Sequence, residues 1–154
     1  PDREILTALA SFAGLPHRWE PVLEKEGILW INDSKSTNPG AAIAALSGME
    51  RPVVLIAGGQ SKGADFESLA NAIQRYARQV LLIGEDRMQL AAAIEDRVPV
   101  TLADDLAHAI RLAARWAQRG DAVLLSPACA SFDMFKNFED RGDTFRRLVE
   151  ELIA

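Results

Sequence analysis

A single cysteine, Cys129, stands in this 154-residue chain, so no internal disulfide can form and a reducing, cytoplasmic setting is expected. There are only two histidines, and no His/Cys spacing suits a metal, so no metal site is expected. No apolar run approaches the roughly 20 residues of a membrane span, and no basic-then-apolar leader opens the chain. Positive charge is not in excess either. The formal net charge of −5 and a pI near 5.1 leave nothing to neutralise phosphates, which excludes nucleic-acid and membrane-surface partners. Arg75, Arg78, Arg111, Arg115 and Arg119 are read as lying on helices among acids. Two glycine signatures are missing as well. Gly58-Gly-Gln-Ser-Lys-Gly63 lacks the four-residue gap of a phosphate-binding P-loop, and no Gly-x-Gly-x-x-Gly follows a strand.

What is present is ordinary globular material, 49% hydrophobic and 25% charged. A chain of this length buries roughly 68–70% of its unfolded surface, enough for one domain with a sizeable core. His17–Glu24 and Gly27–Asp33 read as two strands joined by a charged turn. Pro39–Ser47 reads as a helix capped by Asn38, with proline in its first turn. Apolar strands follow at Pro52–Ala57, Gln79–Ile83 and Ala122–Leu125, with a short edge strand at Val98–Thr101, where proline cannot donate to a ladder. Helices are expected from Asp65, from Asp86, over Asp104–Arg119 and over Asp143–Ile153. Strands alternate with helices and are apolar throughout. The pattern predicts an α/β, Rossmann-like doubly wound fold, its mainly parallel sheet covered by helices on both faces. Residues 1–14 read as the tail of a preceding domain, cut from a longer polypeptide, with the α/β domain over 15–154.

Polar residues gather just after three of the strands, at Asn32–Asn38, Gly58–Asp65 and Ser126–Arg141. In a parallel sheet those strand ends share one side, so the clusters can converge on one crevice. Asp33 could accept hydrogen bonds from ribose hydroxyls, and Lys35 with Thr37 could hold an anion. The same residues would serve as a polar turn in which Asp33 and Ser34 bond their own backbone. Lys62, on a glycine turn, suits a carboxylate or plain solvent. Cys129 lacks a histidine partner, since His108 falls off the apolar face of its helix and His17 lies in a strand. It reads as a small buried residue. Ser131 has no base and reads as a substrate hydrogen-bonder. Phe132, Phe135 and Phe138 are expected in the core.

Ile31-Asn-Asp-Ser-Lys-Ser-Thr-Asn38, Gly58-Gly59 with Lys62 and Ala64-Asp-Phe66, and Leu125-Ser-Pro-Ala-Cys-Ala-Ser-Phe-Asp-Met-Phe-Lys-Asn-Phe-Glu-Asp-Arg-Gly142 together resemble the Mur ligases. The Asp-Ser-Lys form of the first motif resembles the D-glutamate-adding branch in particular. The resemblance runs from Gly14 to the final helix and implies the third, Rossmann-like domain of an ATP-dependent acid–D-amino-acid ligase of peptidoglycan precursor synthesis. It implies ATP, D-glutamate and UDP-N-acetylmuramoyl-L-alanine as substrates, acting with upstream domains of the same polypeptide that carry the P-loop and the Mg2+ ligands. By motif, Arg18 and Asp33 would contact the nucleotide, and Lys35, Thr37, Lys62, Ser131 and Phe138 would surround D-glutamate. Lys35 would also neutralise charge on an acyl phosphate. In the second motif Gln60-Ser61 precedes Lys62, and the spacing there varies among relatives, so the resemblance assigns Lys62 less firmly than Lys35. Two other readings stand beside this one: a domain of a folylpolyglutamate-synthase-type ligase, and a free-standing nucleotide-binding module without chemistry.

Overall fold

The computed structural model describes residues 15–154, and the expected leading helix and domain tail over 1–14 lie outside the described residues. Strands β1 (Glu20–Lys25), β2 (Ile28–Asn32), β3 (Val53–Gly58), β4 (Ala77–Ile83), β5 (Val100–Leu102) and β6 (Ala122–Leu125) form one sheet in the order β1-β2-β6-β3-β4-β5. Only β1 runs antiparallel, as the partner of β2; every other pairing is parallel. Helices α1 (Pro39–Ser47), α2 (Glu67–Tyr76), α3 (Arg87–Ile94), α4 (Leu106–Trp116) and α5 (Phe138–Leu152) complete the fold. None of these helices is long and apolar enough to cross a membrane.

Strand periodicity splits the core into two layers. Val53, Leu55 and Ala57 of β3 face α1, α2 and α3, while Val54 and Ile56 face α4 and α5. The adjoining strands divide in the same way, with Leu124 on the first side and Val123 and Leu125 on the second. Both faces are covered, as the uninterrupted apolar runs require. Phe145 of α5, fully buried in the second layer, contributes about 1.5–3 kcal/mol by burial alone.

Local signals explain most boundaries. Asn38 takes extended backbone, and its carboxamide oxygen accepts the Ala41 N–H at 3.0 Å, opening α1 as expected. β5, flanked by Pro99, is an edge strand. Several sequence expectations are corrected. His17 belongs to a turn, not a strand, with φ of +64° and a buried ring. Asp65 bonds the Glu67 N–H at 3.0 Å in a turn just before α2, while Phe66 holds the cap position. α4 ends at Trp116 rather than Arg119. Arg78 sits on β4, where it pairs with Asp121 at 2.6 Å. α5 starts at Phe138, five residues before its expected start, because Asn137 caps it by accepting the Asp140 N–H at 2.8 Å. Of the three phenylalanines expected inside, Phe132 is 62% exposed.

Candidate functional site

β2, β6 and β3 are adjacent and parallel, so the loops that leave their carboxyl ends meet. Buried hydrogen bonds lock the first of these to the third. The Asp33 N–H donates to Leu125 O at 2.8 Å, extending the β2–β6 ladder by one bond. The Asp33 carboxylate is 3% exposed. It accepts the Trp19 N–H at 3.0 Å, the Ser126 hydroxyl at 2.8 Å and the Ser36 hydroxyl. Burial pushes its pKa above the ordinary carboxylate value, against the pull of those donors and of the Arg18 charge. Three of about four acceptor positions on this carboxylate are therefore used internally, which leaves room for one more donor. Ala128, in left-handed backbone at φ +61°, donates its N–H to Ser36 O at 2.9 Å.

The second loop depends on two glycines. Gly58 and Gly59 have φ of +121° and +137°, and a Cβ on them would lie 1.9 Å from Ile83 O and 2.3 Å from Ala130 O. That close approach lets Gln60 and Ala130 exchange two backbone bonds of 3.0 Å, an antiparallel bridge between the second and third loops. Lys62 follows at φ +50°, its ammonium 5.5 Å from the centroid of the exposed Phe132 ring.

Arg141 ties the first loop to the third from below. It is 1% exposed and donates from Nε to Ser34 Oγ (2.9 Å), from Nη2 to Ser34 O (2.7 Å) and from Nη1 to Cys129 O (2.9 Å). The Ser34 hydroxyl in turn donates to Phe138 O at 2.7 Å. Burial lowers the Arg141 pKa to about 10, the charges near Cys129 and Asp133 opposing it only in part. Around His17, the Asn32 amide nitrogen lies 3.1 Å from Nδ1, and the ring meets Phe138 edge-on at 6.0 Å. Lys35 N–H donates to His17 O at 2.9 Å, so this turn also positions the lysine backbone.

Two of the resulting cavities hold candidate residues. The first, about 400 Å³, is lined by Arg18, Trp19, Asp33, Ser36 and the small residues of α1. The second, about 370 Å³, is lined by Thr37, Lys62, Ala130, Ser131, Phe132, Asn137, Phe138 and Glu139. Arg18 and Asp33 thus fall together, as do Thr37, Lys62, Ser131 and Phe138. Lys35 is half-buried on the backbone between Asp33 and Thr37 and is not brought into the lining of either cavity. Cys129 is buried, and burial lifts its thiol to about 12. No group of three or more His, Cys, Asp or Glu among the described residues could hold a metal ion.

Sequence reasoning missed Trp19, Glu139 and Arg141. The Trp19 indole is 41% exposed and fixed by an Nε1–H bond of 3.3 Å to Ala45 O, which leaves it in the wall of the first cavity. An aromatic beside a candidate nucleotide contact was the available signal. A charged residue on the buried face of a helix was the signal for Arg141.

A family model described as "Mur ligase, glutamate ligase domain" matches residues 17–129. The chain is 51% identical over 152 residues to a UDP-N-acetylmuramoylalanine–D-glutamate ligase of Pseudomonas fluorescens, covering 96% of this chain and 34% of that protein. It is 51% identical over 155 residues to the enzyme of that name in Paraburkholderia xenovorans, covering 100% of this chain and 31% of the relative. It therefore spans about a third of the length of the curated relatives it matches. MurF ligase from Thermotoga maritima in complex with ADP superposes with a TM-score of 0.60 at 20% identity, over 94% of this chain and 34% of that one. E. coli FolC in complex with DHPP and ADP gives 0.65 at 16% identity, over 97% and 35%. Those two likenesses establish the fold. Sequence identity across nearly the whole length carries the relationship further, and the chain belongs to the Mur ligase, glutamate ligase domain family.

Proposed function

We propose that this chain is the nucleotide- and amino-acid-contacting part of a UDP-N-acetylmuramoyl-L-alanine–D-glutamate ligase of peptidoglycan precursor synthesis. The observation that carries the reading is the sorting of the motif residues into two neighbouring cavities at the carboxyl ends of adjacent strands, one with Arg18 and Asp33, the other with Thr37, Lys62, Ser131 and Phe138.

The first cavity fits the base and ribose end of ATP. It offers a guanidinium, an indole face and a carboxylate with one acceptor position left. It does not fit the triphosphate, because the chain has no phosphate-binding loop. The described residues hold no cluster of three or more His, Cys, Asp or Glu, and the Mg2+ ligands are assigned to the upstream domains that the resemblance implies. In the ligation, ATP phosphorylates the carboxylate of the sugar-linked alanine. The D-glutamate amine then attacks that carbonyl, and phosphate leaves as the amide bond forms. The chain's own part is to position D-glutamate and to neutralise charge. In the second cavity Lys62 meets one carboxylate through a charge-assisted bond, and the Thr37 and Ser131 hydroxyls donate to the carboxylates. Lys35, three residues beyond the β2 end and outside both linings, would serve the other carboxylate or the acyl phosphate.

The test is phosphate release by the full-length enzyme with ATP and UDP-N-acetylmuramoyl-L-alanine. Release should depend on D-glutamate and should fall sharply when the L-enantiomer replaces it. Equal rates with both enantiomers, or release indifferent to glutamate, would remove the reading.

A further inference from the structure

The wall of the second cavity carries an acid whose charge is wrong for a site that takes only carboxylates. Glu139 lines that cavity together with Lys62, and it is exposed. Its side chain makes no hydrogen bond or ion pair with the described residues. The usual explanation of a first-turn acid is service to the helix N-terminus. Here that service is already rendered by others. Asn137 Oδ1 accepts the Asp140 N–H at 2.8 Å, and the Asp140 carboxylate accepts the Lys136 N–H at 3.1 Å. Glu139 is left bare at the cavity.

A free carboxylate there opposes the binding of any dicarboxylate unless the ligand brings a positive charge to meet it. An α-amino acid with an acidic side chain does so, since it has two carboxylates and one ammonium. We propose that Glu139 receives the ammonium of the amino-acid substrate, while Lys62 and the hydroxyls of Thr37 and Ser131 take its carboxylates. The proposal rests on reading this cavity as the D-glutamate site. It adds two properties to that reading. The reacting nitrogen is held at a defined point on the wall before it sheds its proton. And contact at three groups makes the site chiral, because exchanging hydrogen and ammonium at Cα carries the ammonium away from Glu139.

The experiment uses the full-length enzyme with ATP and sugar nucleotide saturating. It measures KM for D-glutamate and the competitive inhibition constant of glutarate, which keeps both carboxylates and lacks the ammonium. Glu139→Gln should raise the D-glutamate KM by about tenfold to a hundredfold, the loss expected for one charge-assisted bond. The glutarate constant should stay put or tighten, and Glu139→Asp should restore part of the D-glutamate affinity. Lys62→Ala should weaken both ligands. A D-glutamate KM within twofold of wild type in Glu139→Gln, or a rise matched by glutarate, overturns the role of Glu139 and leaves the cavity reading intact. If Lys62→Ala leaves both ligands unaffected, the cavity is not the amino-acid site, and the proposal falls with it.

Discussion

Replacing Arg141 by methionine removes a buried guanidinium while roughly keeping its volume. Three bonds are lost, to Ser34 Oγ, Ser34 O and Cys129 O, and the acceptors left behind have no water to turn to. Bonds from a charged donor contribute about 1.5–3 kcal/mol each, so the gross loss is about 5–9 kcal/mol. Against this stands the cost of keeping the charge in an apolar setting. A pKa lowered from 12.5 to about 10 corresponds to about 3 kcal/mol. The net destabilisation is therefore about 2–6 kcal/mol, a large share of the 5–15 kcal/mol typical of a folded domain. Urea unfolding followed by circular dichroism should show the midpoint falling while the slope m holds, the sign of a native-state loss without a change in the surface exposed. Arg141→Ala should be worse, since it adds a cavity. In the full-length enzyme at low temperature, where the variant is still folded, the D-glutamate KM should also rise, because Arg141 joins the segments that carry Lys35 and Ser131. A loss below 1 kcal/mol in both variants, with m unchanged, would refute the reasoning by showing that those carbonyls find other partners at no cost.

Lys35→Ala should lower kcat/KM of the full-length ligase by about 30- to 1000-fold with the melting temperature nearly unchanged, the defect appearing in KM if the lysine serves D-glutamate and in kcat if it serves the acyl phosphate; near-normal steady-state constants would exclude it from the site. The Glu20 carboxyl is pushed up by burial, yet the hydrogen bond and charge of Arg146, with Asn32 and His17, bring it below its ordinary value. A lowered carboxyl pKa stabilises the fold above the unfolded value, and that contribution is lost as pH falls through the folded value. The melting-temperature gap between wild type and Glu20→Gln should thus narrow from about pH 6 toward about pH 3, and a gap that stays constant would contradict this. Cys129, its thiol lifted to about 12, should resist iodoacetamide at about pH 8 in the folded protein and react once urea unfolds it; Cys129→Ala should keep most of kcat, and a thousandfold drop in a folded variant would assign the thiol a chemical role.

The central strands β3 and β6 were legible because each is an unbroken apolar run buried on both faces. Asn38 was legible because a cap is a local bond. The start of α5 was not. Its first turn holds a half-buried phenylalanine and two acids, and then comes a charged residue facing inward beside Gly142, so apolar periodicity sets in only near Phe145. The placement of His17 was missed for a related reason: its turn is held by Asn32 and by the Gly142 segment, 110 residues from Asn32 in sequence. Strand-end position singled out Asp33, Thr37, Lys62 and Ser131, since topology alone sends those ends to one side. Trp19, Glu139 and Arg141 take their meaning from segments that meet only in the folded chain, and the local signals at Trp19 and Arg141 do not say which segments those are.

The bridge between Gln60 and Ala130 decides when the chain bears the entropy of building the second cavity. Two free loops carrying Lys62 and Ser131 would have to be ordered at every binding event, each immobilised side chain costing about 0.5–1.5 kcal/mol. Bonded to each other, the two walls are ordered during folding, once and in advance. The sheet and both walls then form a single stiff body. A ligand seated between those walls would keep one pose however the unit as a whole is displaced, so that movement changes where the ligand is and leaves how it is held untouched.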